Sequence, residues 1–362
     1  MGVLHEKNDD VFFMRRALSL AYSRLGEVSP NPSVGTVLVR DGKIISEGVT
    51  QSPGGNHAEV EALGKGVDAN GATLYVTLEP CSHTGKKTPP CVDRIITSGV
   101  RRVVVGTGDM NPAVSGKGVE RLKNAGIVVD VGVCEEEARQ MHEFFFRWVT
   151  KKIPFVTVKA ALTLDGKMMW GDGKRKQVTG LEAQRKAHEL RRVHDAVLVG
   201  VNTVIQDDPR LTCRLVAGRN PLRVVLDSEL RILLDAQLFH EEGKTIVFCT
   251  QLADKEKNER FIKIKEKADV VVVSGSDGRT GISDVLLELG KRGVTSVLVE
   301  GGASVIASFL NEKKADKIAF FFAPFEQPAG TGFFEGLKEK VLTPQRISAS
   351  VYGKDILIEG YM

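Results

Sequence analysis

The chain has 362 residues, 42% of them hydrophobic, and a formal net charge of +4 at pH 7. This length exceeds one ordinary hydrophobic core and suits two domains, while the hydrophobic fraction excludes general disorder. The small charge gives no argument for nucleic-acid binding but allows anionic small molecules as ligands. Residues 1–10 lack the apolar core of a signal peptide, and no run of about eighteen apolar residues occurs, so we expect a cytoplasmic protein without a membrane segment.

Hydrophobic periodicity over residues 1–149 predicts alternating helices and strands. Asp9 or Asp10 is predicted to cap a first helix that ends at Gly26. Its predicted apolar face comprises Phe12, Phe13, Ala17, Leu20 and Ala21. The turn Asp41-Gly42 between two apolar runs indicates a β-hairpin. The further predicted elements are a helix from about residue 57, strands 73–77, 102–106 and 127–131, and helices 119–125 and 135–148.

Four residues in this half have the spacing of a catalytic zinc site. His57 and Glu59 are two positions apart, and Cys81 and Cys91 each follow a proline. One imidazole and two thiolates supply the three protein ligands of a catalytic zinc, which lowers the pKa of water at the open fourth position. Glu59 is placed to move the proton of that water. H-x-E followed by Pro-Cys and a second Cys is the signature of zinc nucleobase deaminases.

Two other interpretations of these residues are weaker. A structural zinc site needs a fourth ligand, which only His83 or Cys134 could supply, and it has no use for a carboxylate at position 59. A disulfide between Cys81 and Cys91 would need an oxidising compartment, which nothing in the chain indicates. If Cys81 begins a helical turn, the helix dipole favours its thiolate.

The charged, proline-containing stretch 149–154 predicts a domain boundary. Beyond it, periodicity predicts strands 155–161, 196–201, 222–226, 245–249, 270–273 and 296–299, and helices 181–193, 283–291 and one that ends at 310. Buried strands joined by helices imply a mainly parallel, doubly wound sheet.

The turn from Glu300 to Ser304 is the best ligand signal in this half. Gly301 and Gly302, between a buried strand and a helix, let the backbone approach a phosphate that the helix N-terminus then holds. The signal is weak, because many α/β proteins place two glycines there only to make a tight turn. The sequence contains no G-x-G-x-x-G fingerprint, so an ordinary Rossmann dinucleotide domain is unsupported.

Taken together, the motifs resemble those of the bifunctional riboflavin-biosynthesis deaminase/reductase family. The matching segments are Ser29-Pro30-Asn31-Pro32, His57-Ala58-Glu59, Leu78-Glu79-Pro80-Cys81, Thr88-Pro89-Pro90-Cys91, Lys159-Ala160-Ala161, Leu164-Asp165-Gly166-Lys167, Asp195 to Gly200, Asp207-Asp208-Pro209 and Val299-Glu300-Gly301-Gly302. The resemblance implies an α/β chain with an N-terminal cytidine-deaminase-like three-layer domain, residues 1–149. It implies a C-terminal doubly wound domain similar to dihydrofolate reductase, residues 150–362.

For the first domain, the resemblance implies zinc-dependent hydrolysis of the 2-amino group of a pyrimidine that carries a phosphoribosylamino group. Glu59 would protonate a ring nitrogen and then the departing amine. Asn31 resembles the family's base-contacting asparagine. His83, with Lys86 or Lys87, lies in the loop between the cysteines, where it can reach the substrate phosphate.

For the second domain, the resemblance implies reduction of the ribosyl group to a ribityl chain by NADPH. The residues implied to contact NADPH are Ala161, Thr203, Asp207, Ser228, Gly302, Ala303 and Ser304. Those implied to face the substrate are Arg191, Leu211, Arg214 and Glu300. Arginine suits a phosphate because its planar guanidinium donates two hydrogen bonds at once.

The sequence departs from the family in three places. The loop from Cys81 to Cys91 is one residue longer than is usual. Arg175 and Gln177 stand where the family has a serine that holds the substrate phosphate and a tryptophan that packs on the cofactor, and we expect Arg175 to take the phosphate role. Residues 324–328 replace a glycine-rich segment, and the sequence alone gives no account of the effect.

Three other functions remain as alternatives. One is a deaminase whose second domain no longer reduces, motivated by Arg175 and Gln177. Another is a nucleic-acid deaminase or tRNA-binding module, which the chain's lack of a basic, aromatic-interleaved stretch disfavours. The third is a zinc-stabilised scaffold without activity. The resemblance implies homo-oligomers that associate through the reductase domain.

Overall fold

The computed structural model describes residues 2–83, 89–112, 114–168, 178–251, 259–276, 278–327, 330, 332–338 and 342–362. The chain divides into two compact units, Met1–Lys152 and Ile153–Met362, which we call unit 1 and unit 2. In the described part of the chain, no helix has the length and apolar character needed to cross a membrane.

Unit 1 is built on a five-stranded sheet in the order β2-β1-β3-β4-β5. Its elements are α1 (Gly2–Ser23), β1 (Gly35–Arg40), β2 (Lys43–Val49), α2 (Ala58–Ala62), β3 (Thr73–Leu78), α3 (Cys91–Thr97), β4 (Arg102–Thr107), α4 (Lys117–Asn124), β5 (Val128–Val131), α5 (Glu135–Met141) and α6 (Glu143–Lys151). Strand β1 is antiparallel to β2 and β3, whereas β3, β4 and β5 are parallel. Asp41 and Gly42 both have positive φ, at 51° and 71°, so the predicted hairpin is confirmed.

The predicted start of the first helix is wrong. Helix α1 already begins at Gly2, so neither Asp9 nor Asp10 caps it. Asp10 is instead buried within the helix, where it accepts hydrogen bonds from Tyr75 Oη (2.7 Å) and from Arg102. Phe12, predicted on the apolar face, is 64% exposed. The ion pair with Arg102 on β4 keeps Asp10 inside the helix. Local hydrophobic periodicity gives no sign of this distant partner.

The single helix predicted over 135–148 is broken into α5 and α6 at His142. This residue has φ −102° and ψ 9°, outside the helical region. Its ring is buried, and Nε2 lies 3.1 Å from the hydroxyl of Thr77.

The sequence analysis also considered a helical turn that begins at Cys81. In the structure, helix α3 begins at the second cysteine, Cys91, and not at Cys81.

Unit 2 is built on a nine-stranded sheet in the order β10-β9-β8-β7-β13-β6-β14-β16-β15. Its strands are β6 (Phe155–Thr163), β7 (Ala196–Gly200), β8 (Leu222–Leu226), β9 (Thr245–Cys249), β10 (Asp269–Val272), β11 (Gly275–Ser276), β12 (Arg279–Thr280), β13 (Ser296–Val299), β14 (Lys317–Ala323), β15 (Gln345–Tyr352) and β16 (Asp355–Tyr361). Its α-helices are α7 (Leu181–Val193), α8 (Val201–Asp207), α9 (Glu259–Lys265), α10 (Ile282–Lys291) and α11 (Ala303–Asn311).

The mainly parallel sheet predicted for this half is confirmed from β10 to β14, where every pair of neighbouring strands is parallel. The sequence prediction missed β14 and the antiparallel strands β15 and β16 that extend the sheet. The central strands are buried on both faces, as an α/β sheet covered by helices requires. The carboxyl ends of β6, β7 and β13 lie side by side at one edge, which is where such sheets bind ligands.

Candidate active sites

The predicted metal ligands of unit 1 converge on one point. Ligand atoms of His57, Cys81 and Cys91 all lie within 4.8 Å of one another. His57 Nδ1 is 3.1 Å from Cys91 Sγ and 3.6 Å from Cys81 Sγ. His57 directly precedes α2, and Cys91 is the first residue of α3. An imidazole and two thiolates at this spacing fit a tetrahedral zinc with one open position.

All five cysteines of the chain are free thiols, so no disulfide joins Cys81 to Cys91. Hydrogen bonding from Cys91 is the main cause that lowers the pKa of Cys81, to about 4. A thiolate is the form that binds metal. Among the described residues, the metal-capable group contains only these three side chains, so neither His83 nor Cys134 closes the coordination shell.

Glu59 lies in the first turn of α2 and is 4% exposed. Burial, with the nearby Cys81 as the second cause, raises the pKa of its carboxyl to about 7. A carboxyl that titrates near neutral pH can both accept and release a proton there. Glu59 therefore has the surroundings of a general acid and base.

A cavity of about 300 Å³ connects these groups to the predicted substrate residues. It is lined by Asn31, His57, Glu59, Cys81 and His83, all of which the sequence had singled out. The sequence analysis missed Asp109, Asn111, Phe145, Trp148 and Lys152, which also line it. These residues come from loops and a helix distant in sequence, and no local motif marks them. Lys86 and Lys87 lie outside the described residues.

Glu79, which precedes the Pro80-Cys81 pair, lines this cavity and holds neighbouring backbone segments through hydrogen bonds. Its buried carboxylate accepts four backbone hydrogen bonds. Oε1 accepts from the N–H groups of Gly118 (2.9 Å) and Val119 (3.2 Å), and Oε2 accepts from those of Asp109 (3.2 Å) and Gly116 (3.0 Å). The carboxylate thus ties the segment that carries Asp109 to the segment that carries the metal ligand Cys81.

In unit 2, Arg191 and Glu300 form a bidentate ion pair between α7 and the end of β13. Arg191 Nε and Nη2 lie 2.6 and 2.8 Å from the two carboxylate oxygens, and Nη1 donates to the carbonyl of Thr212 (3.1 Å). Lys159 Nζ is 3.8 Å from the same carboxylate. Burial opposes ionisation of Glu300, but Arg191 and Lys159 outweigh it and lower the pKa to about 2. Glu300 is therefore a fixed anion.

Two cavities of about 720 and 210 Å³ meet at this ion pair, since Lys159, Arg191 and Leu211 line both of them. The larger one also contains the predicted residues Asp207 and Arg214. The smaller one is lined by the predicted residues Ala161, Thr203 and Glu300, together with Gly301. His188, which the sequence analysis missed, lines the larger cavity; burial lowers its pKa to about 4, so it is neutral.

The glycine turn fits a nucleotide phosphate. Gly302 directly precedes α11, and its N–H donates to Thr203 Oγ1 (3.1 Å) at the start of α8. A Cβ on Gly301 would lie 2.7 Å from Cβ of Val305, so only glycine allows this close approach. Two helix N-termini therefore face one edge of the sheet, an arrangement that suits the phosphates of NADPH.

Some predicted residues lie elsewhere. Ser228 accepts a hydrogen bond from the N–H of Thr280 (3.0 Å) and lines neither of the two cavities. Ala303 and Ser304 lie in the first turn of α11 and are also absent from the cavity walls. Arg175 and Gln177 lie outside the described residues.

The structure accounts for part of the unusual segment 324–328, whose last residue lies outside the described part. Phe325 O accepts a hydrogen bond from Leu164 N (2.9 Å), and Gln327 N donates to Asp165 Oδ1 (3.1 Å). Lys167 Nζ donates to the carbonyl of Gln327. The segment therefore holds the turn after β6, directly beyond the cavity residue Ala161.

Comparisons with known proteins agree with both sites. Residues 7–107 match the family described as cytidine and deoxycytidylate deaminase zinc-binding region, and residues 154–358 match the RibD C-terminal domain. The riboflavin biosynthesis protein RibD of Aquifex aeolicus is 53% identical over 267 residues, 73% of each chain. RibD of Escherichia coli is 38% identical over 300 residues, 78% of this chain and 82% of the relative.

Solved structures give the same result. The diaminohydroxyphosphoribosylaminopyrimidine deaminase/5-amino-6-(5-phosphoribosylamino)uracil reductase of Thermotoga maritima superposes with a TM-score of 0.86 at 42% identity, over 99% of both chains. RibD of Acinetobacter baumannii superposes with a TM-score of 0.83 at 33% identity, over 98% of this chain and 99% of that one. The similarity therefore extends over both units.

Proposed function

The chain belongs to the RibD family of riboflavin biosynthesis proteins, and we propose that it catalyses two consecutive steps of that biosynthesis. The first is zinc-dependent hydrolytic deamination of 2,5-diamino-6-(5-phosphoribosylamino)pyrimidin-4(3H)-one. The second is NADPH-dependent reduction of the ribosyl group, which gives 5-amino-6-(5-phosphoribitylamino)uracil. The observation that carries the proposal is the buried Glu59, which lines one cavity with His57 and Cys81, whose ligand atoms converge with that of Cys91.

In the deamination, His57, Cys81 and Cys91 would hold the zinc. When bound, zinc lowers the pKa of water, which allows hydrolysis near neutral pH. Glu59 accepts a proton from the attacking water and passes it to a ring nitrogen. It then takes the remaining proton from the new hydroxyl group and gives it to the departing amine, so that ammonia leaves and a carbonyl remains. Asn31 and His83 line the same cavity. Asn31 would orient the pyrimidine, and His83 would contact its ribosyl phosphate.

In the reduction, the ion pair of Glu300 and Arg191 lies where the two cavities of unit 2 meet. NADPH, when bound, supplies the hydride for the anomeric carbon. Ala161 and Thr203 line the smaller cavity and would contact the cofactor. By similarity, Asp207, Ser228 and the turn from Gly302 to Ser304 would contact it as well. Lys159, which lines both cavities, would protonate the ring oxygen as the ribose opens. Leu211 and Arg214 border the substrate.

A coupled assay tests both steps. Zinc-replete protein is given the diamino substrate, and ammonia release and NADPH absorbance are followed together. We expect stoichiometric release of ammonia followed by NADPH oxidation. A second domain that does not reduce is not favoured, because residues 154–358 match the reductase family and both units superpose on a bifunctional relative. If the protein does not oxidise NADPH when it is given the deaminated intermediate, the second domain is not a reductase and this alternative is favoured.

The phosphate role of Arg175 is a proposal that stands on the sequence alone. The charge of this arginine, at the position of the family's phosphate-binding serine, supports it. We expect Arg175→Ala to raise the reductase KM and leave ammonia release unchanged. An unchanged reductase KM would refute the assignment.

We assign the deaminase to residues 1–149 and the reductase to residues 150–362. The two compact units support a division at this point of the chain, with their boundary three residues later, after Lys152. Copies of the chain associate through the reductase: β15 lies at the edge of the large sheet, where Ile347 is 62% and Val351 73% exposed. Light scattering on Val351→Lys, compared with the unaltered chain, tests this interface.

The protein works in the cytoplasm, where thiols stay reduced.

A further inference from the structure

One side of helix α7 forms part of the wall of the larger cavity in unit 2. The residues of α7 that line this cavity are Gln184, Ala187, His188 and Arg191. They are three or four positions apart along the helix, so they lie on the same side of it. Two further residues of α7, Ala183 and Leu190, belong to one hydrophobic cluster with Leu298 and Phe321 of the sheet. The position of α7 on the sheet therefore decides where this wall of the cavity lies.

The two ends of α7 are held by different contacts. Near the C-terminal end, the bidentate ion pair with Glu300 fixes Arg191. At the N-terminal end, the cap residue is Gly180, which has no side chain that could cap the helix. The N–H of Gly180 donates instead to Oδ2 of Asp355 (2.7 Å), a residue 175 positions further along the chain. In a capping box, a side chain of the helix itself accepts this bond.

Asp355 belongs to the hairpin of β15 and β16. It is the first residue of β16 and pairs with Tyr352 across the turn. Its side chain is buried, with the residue only 2% exposed. The hairpin also approaches the first turn of α7 elsewhere, because a Cβ on Gly353 would lie 2.7 Å from Oε2 of Glu182. A carboxylate at a helix N-terminus is further stabilised by the helix dipole. The hairpin thus fixes the start of α7 through Asp355.

The residues next to Gly180 line the reductase cavities. Thr179, directly before it, lines the larger cavity, and Val178 lines the smaller one. Nε2 of Gln184 donates to the carbonyl of Thr179 (2.8 Å), and the N–H of Gln184 donates to that of Gly180 (3.0 Å). Because these bonds join the three residues, a displacement of Gly180 would move Thr179 and Gln184 with it.

We propose that Asp355 is a positioning residue of the reductase, which holds the first turn of α7 so that Thr179 and Gln184 complete the substrate wall of the larger cavity. The inference rests on the proposed reductase function, which places the deaminated, phosphoribosylated pyrimidine in this cavity. It gives the C-terminal hairpin a part in substrate binding. Asp355 acts through the backbone of α7 and does not itself line either cavity.

The kinetic test measures reductase kcat and KM for the deaminated intermediate. We expect Asp355→Ala to raise this KM by roughly 2- to 30-fold, the factor that corresponds to loss of a helix cap, because the substrate must then re-form the first turn. The value of kcat should change little, since Lys159, Arg191 and Glu300 are held by other contacts. Asp355→Asn keeps an acceptor oxygen and should restore most of the original KM.

Lys354→Ala is the matched control, because Lys354 is the exposed neighbour of Asp355 in the same hairpin. Its KM should equal that of the unaltered chain. A fraction of misfolded enzyme lowers kcat and leaves KM as it was. An unchanged KM in Asp355→Ala, with or without a fall in kcat, would therefore overturn the inference, as would a KM that rises equally in Asp355→Asn.

Amide hydrogen exchange gives a second readout that does not depend on activity. We expect the amides of Gly180 and Gln184 to exchange faster in Asp355→Ala, while those around Arg191 keep their protection. Equally faster exchange throughout unit 2 would show a general loss of stability and would overturn the positioning role. If the unaltered chain does not oxidise NADPH with the deaminated intermediate, the proposed reductase function itself fails, and the exchange comparison still decides whether Asp355 holds α7.

Discussion

Replacing Glu79 by glutamine tests whether the backbone hydrogen bonds of this side chain hold the deaminase site together. Glutamine keeps the shape of the side chain but turns one acceptor oxygen into an NH₂ group. Because each carboxylate oxygen accepts from two backbone N–H groups, Glu79→Gln leaves two buried donors without an acceptor. Each such donor costs about 1–3 kcal/mol, so unit 1 should lose roughly 2–6 kcal/mol of its free energy of unfolding.

The two activities of the chain provide an internal control for this loss. After heating, residual ammonia release reports unit 1 and residual NADPH oxidation reports unit 2. For a unit of this size, the expected loss lowers the inactivation midpoint of the deaminase by roughly 4–24 °C. The midpoint of the reductase should not move. Gly118→Ala should act in the same direction, because a Cβ there would lie 2.2 Å from the carbonyl oxygen of Pro80.

Glu120→Gln is the matched control, since Glu120 carries the same change on the exposed face of α4. It should stay within about 0.5 kcal/mol of the unaltered protein. If Glu79→Gln and Glu120→Gln inactivate at the same temperature, the four hydrogen bonds contribute no stability and the reasoning is refuted.

Three further predictions concern single groups. Glu59→Gln should lower ammonia release by about 10²- to 10⁴-fold and leave the zinc content unchanged; near-normal turnover would contradict the proton-transfer role. Arg191→Ala should cost unit 2 about 3–5 kcal/mol, because it leaves Glu300 as a buried anion without its bidentate partner; urea unfolding measures this loss, and an unchanged midpoint would exclude it. Burial lowers the pKa of His142 to about 3 and of His194 to about 4, from an ordinary value of 6.5. The unfolded chain therefore binds more protons below pH 6.5, so stability is complete above that pH and falls below it, by about 2 kcal/mol per histidine at pH 5. His142→Gln should flatten the dependence of the unfolding midpoint on pH, and an unchanged slope would refute the assignment.

The residues proposed for the deaminase chemistry were visible in the sequence. A zinc site of this kind needs a fixed set of ligand types, and His57, Cys81 and Cys91 have those types at a recognisable spacing. The structure brings their ligand atoms together as predicted. Helices and buried strands were predicted for the same reason: their hydrophobic repeat is local, and in unit 2 the predicted bounds of α7, β8, β9 and β13 match the structure residue for residue.

Predictions failed where a distant partner overrides the local pattern. Asp10 has the chemistry of a helix cap, but pairing with Arg102 keeps it buried inside α1. His142 interrupts a continuous helical pattern while its ring lies against Thr77. In both cases the free energy comes from a contact between residues far apart in sequence, which no window of neighbouring residues contains.

By itself, the sequence determined the metal ligands, the neighbouring carboxyl and the alternation of strands and helices, because each depends on residue type and short spacing. Only the tertiary structure decided which other side chains complete the sites. Glu79 and Lys152 reach the deaminase cavity, and Lys159 reaches Glu300, through the packing of separate elements. Burial and charge at a site depend on all the elements that surround it, so they are properties of the folded chain and not of any single segment.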